Sequence, residues 1–486
     1  LSEPPTAARL RPLPLSIGPA VFAVSALTTE PAGFSAAAWP VAGLAAWMAI
    51  WWATEAVPLA ATSLLPLIFI PLIGVPAPGE AIAEYASSSV FLILGGFLLA
   101  LAMERWNLHK RIAYNIVLVV GREPRRLVLG MLIACAALSM WVSNTSTALM
   151  MLPVALSIAL IVTRDGEPAN IDERNFVACL LLAVAYGATI GGLGSLIGTP
   201  TNALVQGYMK SQFDFDLSFV DWLKFGVPTV LLLVPLAWLA MVRFALPFRL
   251  PAGTDAHGAV RDALAALGPM RREEYCIAVV FGTAAGAWVF RPWLNEFGPL
   301  EKLSDMGIAV AAGLSMFLIP AKPPAGGALL QAHDLARVPW DVLLLFGGGL
   351  ALAAAIQSST LGDTLGGYMQ VFGVLPLILL TTVIVLILVF WTELNSNVAT
   401  AATFMPVLAA LAAGTDHSVL EILAPAAMAS SAGFMLPVGT PPSAIVFATR
   451  KVALKQMLRA GLLIDLIAVV VIVLVGYFTV PLIVHR

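Results

Sequence analysis

Runs of about 20 consecutive apolar residues recur along almost the whole chain, and no other feature restricts its fold so tightly. At 1.5 Å per residue such a run, wound as a helix, crosses about 30 Å of hydrocarbon. The period-2 alternation of a membrane strand is not visible. The chain therefore reads as an all-α polytopic membrane protein, a helical bundle and not a barrel. Composition agrees: 60% of the 486 residues are hydrophobic and 11% charged, where a soluble domain carries about 25% charged, and the mean hydropathy is +0.92. A net charge of −2, with Lys and Arg clustered between apolar runs, excludes a nucleic-acid surface. Cys135, Cys179 and Cys276 fall in apolar segments without metal-ligand spacing, so they read as small core residues. Leu1–Leu15 is Pro-rich, carries Arg9 and Arg11 and lacks a cleavage pattern, and residues 1–14 read as a cytoplasmic tail.

Eleven full spans follow, at 15–31, 37–53, 56–75, 88–108, 176–209, 225–246, 274–293, 305–320, 340–360, 421–449 and 460–483. Two more apolar stretches, 127–163 and 374–413, are interrupted near the middle by a polar cluster. Each of their halves, about 15 residues, reaches only about 22 Å. They read as re-entrant hairpins. Non-helical backbone at membrane depth persists only where protein buries it or water reaches it, so two polar tips call for a function. With the first hairpin opening to the cytoplasm and the second outward, only Lys210, Lys224, Arg291, Lys302 and Arg486 of the 26 Lys and Arg lie outside, as the excess of positive charge in cytoplasmic loops requires. Arg122, Arg125, Arg126, Arg164 and Arg174 flank the base of the first hairpin, whereas 361–374 and 414–421, flanking the second, contain no Lys or Arg.

The two tips superpose. Ser143-Asn144-Thr145 is followed by Pro153 and Ser396-Asn397-Val398 by Pro406, ten residues after the serine in each case. Upstream stand Gly95-Gly96 and Gly347-Gly348; downstream stand Gly198-Thr199-Pro200 and Gly439-Thr440-Pro441. Four landmarks in one order, with hairpins opening to opposite faces, imply an inverted repeat, the arrangement that places substrate and ions near the midplane between the halves. The halves are 15–250 and 274–486, joined by a polar, loop-like cytoplasmic linker at 251–273.

A Ser-Asn-Thr turn offers hydroxyl and amide oxygens to a cation, and the N–H groups opening the next helix offer donors to an anion. The Gly-Thr-Pro breaks should unwind their helices and free carbonyls beside each tip. Each half then has one candidate sodium pocket built from neutral oxygens. Glu393, the one acidic residue of the second hairpin, reads first as a structural carboxylate bonded to nearby backbone or hydroxyls and second as a proton-coupling group. Glu55 ends the run Trp51-Trp52-Ala53-Thr54 and precedes Pro58, which suits a solvated or capping role. His109 and His333 are expected at the surface, and Trp and Phe near span ends as interfacial anchors.

In these tips and breaks, and over nearly its whole length from Trp51-Trp52-Ala53-Thr54-Glu55-Ala56-Val57-Pro58 to Thr440-Pro441-Pro442, the sequence resembles the divalent anion:sodium symporter family of di- and tricarboxylate carriers. The resemblance implies a homodimer whose protomers each move a transport domain against a scaffold by an elevator mechanism. It implies one sodium site at Ser139, Ser143, Asn144 and Gly198 and another at Thr392, Asn395, Asn397 and Gly439, with Asn395 and Gly439 acting mainly through carbonyls. Substrate carboxylates would meet Asn144, Thr145, Thr199, Ser396, Asn397 and Pro441, and also position 398, where Val398 replaces the threonine of many members. The expectation is sodium-coupled transport of small divalent anions, C4-dicarboxylates first, in the cell inner membrane. An exchanger or a proton-coupled carrier using Glu393 is the alternative within transport. A membrane-embedded enzyme is a remote one, since neither hairpin holds a His or Asp to activate a serine.

Overall fold

In the computed structural model the described residues are 12–75, 78–120, 123–163, 168, 170–250, 256–322, 326–369 and 375–484. Most of the expected tail, and Arg122 and Arg164 at the base of the first hairpin, lie outside them. The described residues are helical throughout, with a single isolated bridge between Pro320 and Ala328 and no strand.

The first half opens with the packed pair α1 (Pro12–Leu27) and α2 (Ala38–Thr54). The span expected at 56–75 is divided into α3 (Leu59–Thr62) and α4 (Leu65–Ile73), and a short α5 (Pro78–Ala83) leads into α6 (Ser88–Arg105). After α7 (Leu108–Val120), the polar cluster of the first interrupted stretch separates α8 (Pro124–Ser139) from α9 (Asn144–Val162). The span expected at 176–209 is likewise two helices, α10 (Ile171–Gly192) and α11 (Pro200–Phe213), before α12 (Phe219–Leu239) and its π-helical extension Ala240–Ala245. The linker holds α13 (Ala256–Ala266), which a loop-like reading of 251–273 did not anticipate.

The chain continues with α14 (Arg272–Leu294), α15 (Asp305–Leu318), α16 (Trp340–Ser358), α17 (Leu361–Met369), the interrupted pair α18 (Leu377–Thr392) and α19 (Asn397–Ala413), the broken α20 (Val419–Ser430) and α21 (Pro441–Ala448), then α22 (Leu454–Thr479) and α23 (Pro481–Val484). Among the described residues seven helices are long and apolar enough to cross a membrane. Six of them fall in expected spans and the seventh is α9; the other five expected spans lack such a helix because α1, α2 and α15 are only 16, 17 and 14 residues long and the stretches 56–75 and 421–449 are each divided into shorter helices. The arms of the interrupted pairs have 16, 19, 16 and 17 residues, longer than the roughly 15 expected, and α9 alone is of spanning length.

Local chemistry explains where these helices start. Proline, whose missing N–H is no loss in the first turn, stands at the start of α8, α11 and α21. Ser143 caps α9 by accepting from Ser146 N (3.2 Å), and Ser218 and Asp221 close a capping box on α12. Asn107 and Thr360 adopt left-handed backbone (φ 59° and 63°) and turn the chain from α6 into α7 and from α16 into α17. They are 253 residues apart, the same separation as Ser143 and Ser396.

The core is centred on α10, whose spanning window is wholly buried, against α8, α9 and α21. α8 and α10 approach through glycine: a Cβ on Gly191 would lie 2.2 Å from the Ala136 carbonyl oxygen. α14 is the opposite case, with only 17% of its window buried, and presents its apolar side chains outward. The turn at Asn107 folds α7 back beneath α6, so His109 is buried and its Nδ1 lies 2.8 Å from the Met103 carbonyl oxygen. This corrects the surface placement expected for His109; His333 is exposed as expected. Cys135 and Cys179 are buried, but Cys276, on the exposed α14, is only half-buried.

Candidate functional site

The two polar clusters lie face to face. Each follows the C-terminal end of one helix and precedes the first turn of the next, so oxygens from the ending helix and N–H groups of the starting helix are presented together. In the first, Ser139 Oγ donates to Asn144 Oδ1 (2.6 Å). In the second, Thr392 Oγ1 lies 2.9 Å from Asn397 Oδ1, to which it donates, and 2.7 Å from the Ser430 carbonyl oxygen. The two hydroxyl–asparagine bonds span five residues each.

The broken helices supply the walls. A Cβ on Gly198 would lie 2.6 Å from Gly192 O and 3.1 Å from Ser139 O, and one on Gly192 would lie 2.5 Å from Asn144 Oδ1. The break at 193–199 thus brings carbonyl oxygens and the tip amide into one small volume where only glycine fits. Not every freed carbonyl is available: Asn202 Nδ2 donates to Gly192 O (2.9 Å) and Ser195 O (2.7 Å). In the second half Gly439 is packed against Glu393, whose Oε2 would lie 3.0 Å from an added Cβ. Thr440, at the start of α21, donates to Ser443 Oγ (2.9 Å). Thr201 and Thr199 reach Ser431 Oγ (2.6 and 3.4 Å), a direct bond between the two breaks.

Glu393 is almost fully buried, and its carboxylate accepts from the amides of Met435 (2.7 Å) and Leu436 (2.6 Å). That is the structural role expected first for it. Sequence reading missed its neighbour Asp465, a buried carboxylate in the apolar run of α22 that accepts from Phe434 N (3.1 Å). An acidic residue inside such a run was signal enough to find it. Asn395, in the amide orientation that satisfies its surroundings, donates to Ala53 O (2.7 Å) and accepts from Trp391 Nε1 (3.0 Å). Its side chain is therefore engaged with the end of α2, which leaves its carbonyl for other partners.

A cavity of about 1190 Å³ joins the two clusters. Of the expected residues, Ser143, Asn144, Thr145, Gly198 and Thr199 from the first half and Asn395, Ser396, Asn397, Val398, Gly439 and Pro441 from the second line it. Ser139 and Thr392 are fully buried behind the tips and reach the cavity only through their asparagines. Three acidic residues and one arginine also line it: Glu55, Glu104, Asp341 and Arg337. Glu55 ends α2 in left-handed backbone (φ 47°), at a helix end as expected, yet faces the cavity. Glu104, Asp341 and Arg337 were not anticipated, because residues at the edges of predicted spans look like ordinary solvated loop charges. Among the described residues no group of three or more His, Cys, Asp or Glu is placed to hold a transition metal. The tips themselves offer neutral oxygens, amides and helix starts, and the four charged residues add three carboxylates and one guanidinium to the lining.

Known proteins resemble this chain over nearly its whole length. Residues 11–484 match the family model described as the sodium:sulfate symporter transmembrane region. A sodium-dependent dicarboxylate transporter, SdcS, of Staphylococcus saprophyticus is 41% identical over 477 residues, 96% of this chain and 91% of that one. SdcS of Staphylococcus aureus is 37% identical over 474 residues, with the same shares covered. Among solved structures, the YdaH transporter of Alcanivorax borkumensis is similar with a TM-score of 0.58 at 16% identity, over 85% of this chain and 88% of that one. MtrF of Neisseria gonorrhoeae gives 0.58 at 12%, over 84% and 83%. At those identities the likeness is one of fold alone.

Proposed function

Because the chain belongs to the sodium:sulfate symporter family, the divalent anion:sodium symporters that its tips resemble, we propose that it is a sodium-coupled secondary carrier whose substrates are C4-dicarboxylates. The observation that carries this reading is the meeting of both tips in one cavity, each with its hydroxyl–asparagine bond. The first sodium is bound by Ser139, Ser143, Asn144 and Gly198, the second by Thr392, Asn395, Asn397 and Gly439. The dicarboxylate lies between them against Asn144, Thr145, Thr199, Ser396, Asn397, Val398 and Pro441. No Lys or Arg stands in either tip, so the anion is held by amides, hydroxyls, helix starts and the sodium charges themselves. Substrate affinity then collapses without sodium. The two backbone amides on the Glu393 carboxylate support its reading as a structural group.

In this reading α8–α9 and α18–α19 are re-entrant hairpins, and α3–α4, α10–α11 and α20–α21 are broken spans, eleven spans in all. The halves 15–250 and 274–486 are inverted, with the basic base of the first hairpin in the cytoplasm. Two protomers pair in the inner membrane, and each alternates access by an elevator movement of the tip-bearing helices. The test is uptake of labelled succinate into proteoliposomes with and without a sodium gradient, with unlabelled malate, fumarate, citrate and sulfate as competitors. Uptake indifferent to sodium, or dependent only on counter-substrate inside, overturns sodium symport. Competition by sulfate alone overturns the dicarboxylate assignment.

A further inference from the structure

The cavity between the tips has a charged margin to which the transport reading assigns no role. Arg337 is the one cation among its described lining residues, and it shares that margin with Glu55, Glu104 and Asp341. The segment carrying Arg337 is stitched to the C-terminal end of α6. Arg105 forms an ion pair with Asp334, Asp334 also accepts from Gln331 N (2.8 Å), and Trp106 Nε1 donates to Leu329 O (2.9 Å). Arg337 Nη2 is thereby placed 3.1 Å from Glu104 Oε2, with the arginine side chain 49% exposed and the glutamate 14%. This end of α6 lies on the face that the transport reading puts in the cytoplasm, called the basic face below: Arg105, Arg271 and Glu274 line a neighbouring cleft, and Arg111 reaches Glu274 (2.6 Å).

A dianion passing this margin meets Glu55 and Asp341, neither of which has an ion-pair partner among the described residues. The single bond to Glu104 uses one of the five N–H donors of a guanidinium, a group whose planar fork suits carboxylates. We propose that Arg337 is an anion-contact residue of the cavity margin, exchanging Glu104 for a substrate carboxylate on the basic face, with Glu104 as the internal competitor that sets affinity there. The inference rests on the transport reading above and adds a contact on the exit path, separate from the tips. Exchange between two carboxylates at an exposed arginine is a small effect, so it tunes half-saturation and not the ability to transport.

Sided transport tests it. Inside-out and right-side-out vesicles containing the full chain are assayed for sodium-driven succinate flux in wild type, Arg337→Gln, Arg337→Lys and Glu104→Gln. Arg337→Gln is expected to raise the half-saturation concentration on the basic face about two- to fivefold, the weight of one exposed charge contact. Arg337→Lys keeps most of the wild-type value, Glu104→Gln lowers it, and all three leave the opposite face unchanged. The differences shrink when choline chloride raises the ionic strength, as an exposed charge requires and a packing defect does not. Equal shifts on both faces, or shifts in the same direction for Arg337→Gln and Glu104→Gln, overturn the inference and leave the pair a structural clasp. If wild type carries no sodium-dependent succinate flux, the transport reading itself fails; if it does and Arg337→Gln behaves as wild type, only the role of Arg337 falls.

Discussion

Ser139 and Thr392 donate to the side-chain oxygens of Asn144 and Asn397, 253 residues apart in both cases, and the tips depend on these four side chains. Asn144→Ala and Asn397→Ala each remove an oxygen of a proposed sodium site together with the partner of a buried hydroxyl. Each is expected to lower sodium-driven uptake at least about tenfold, the weight of a bond to a charged group (about 1.5–3 kcal/mol), while detergent-purified protein keeps its elution profile. Wild-type uptake by either variant removes the ion-site assignment. Val398 lines the cavity beside Asn397 but takes no part in the Thr392 bond. Val398→Thr, nearly the same shape, is therefore expected to change the ratio of dicarboxylate to tricarboxylate uptake and leave the sodium half-saturation unchanged. A fixed substrate ratio with a moved sodium dependence places position 398 in the ion site instead. At this scale the sequence was informative where residues recur in pairs or where a carboxylate interrupts an apolar run, and silent for charges at span ends. Arg337 and Asp341 stood at the edge of a predicted span, and nothing local distinguishes a cavity-facing charge from a solvated one.

Between elements, contact distance is set by glycine. A methyl group at Gly191 would meet the Ala136 backbone at 2.2–2.7 Å, and backbone in the middle of a packed helix has nowhere to go. Gly191→Ala is expected to separate α8 from α10 and to cost about 1–3 kcal/mol, seen as a lower unfolding midpoint in detergent. Gly282, on the outward-facing α14, has nothing within 4 Å of its would-be Cβ. Gly282→Ala should leave the midpoint unchanged or raise it, since alanine favours a helix over glycine by about 0.5–1 kcal/mol. If both substitutions are equally tolerated, the tight α8–α10 crossing is not what holds the first tip in place. The first tip is also clasped by rings: Trp141 meets Phe281 edge-to-face (4.7 Å) and stacks on Phe219 (6.0 Å), tying it to α14 and α12. Neither glycine nor ring partners could be paired from sequence, because apolar helices of similar composition give no indication of which faces touch.

For the molecule as a whole, the proposed inversion of the two halves makes a topological prediction. Single cysteines at Glu123 and Asp416, both exposed and at the outer ends of the interrupted pairs, are placed in a background lacking Cys135, Cys179 and Cys276. An impermeant thiol reagent should label Glu123→Cys only from the cytoplasmic face and Asp416→Cys only from the opposite one; labelling of both from one face excludes inversion. Gly414 is unsuited to this test because a side chain there would press on Gly366 O at 2.4 Å. Apolar run length, together with the absence of period-2 alternation, determined that the chain is an all-helical membrane protein, since hydrocarbon admits only helices and closed barrels. The duplicated order of Gly-Gly, Ser-Asn and Gly-Thr-Pro marked the two polar clusters as a related pair. Tertiary structure decided that both tips enter one cavity, that Asn202 occupies carbonyls freed by the first break, that Glu393 is spent on the 435–436 amides, and that Glu55, Glu104, Asp341 and Arg337 share the margin. Those outcomes depend on distances between segments hundreds of residues apart, set by helix packing, whereas the sequence carries only the local period and the solvent each helix requires.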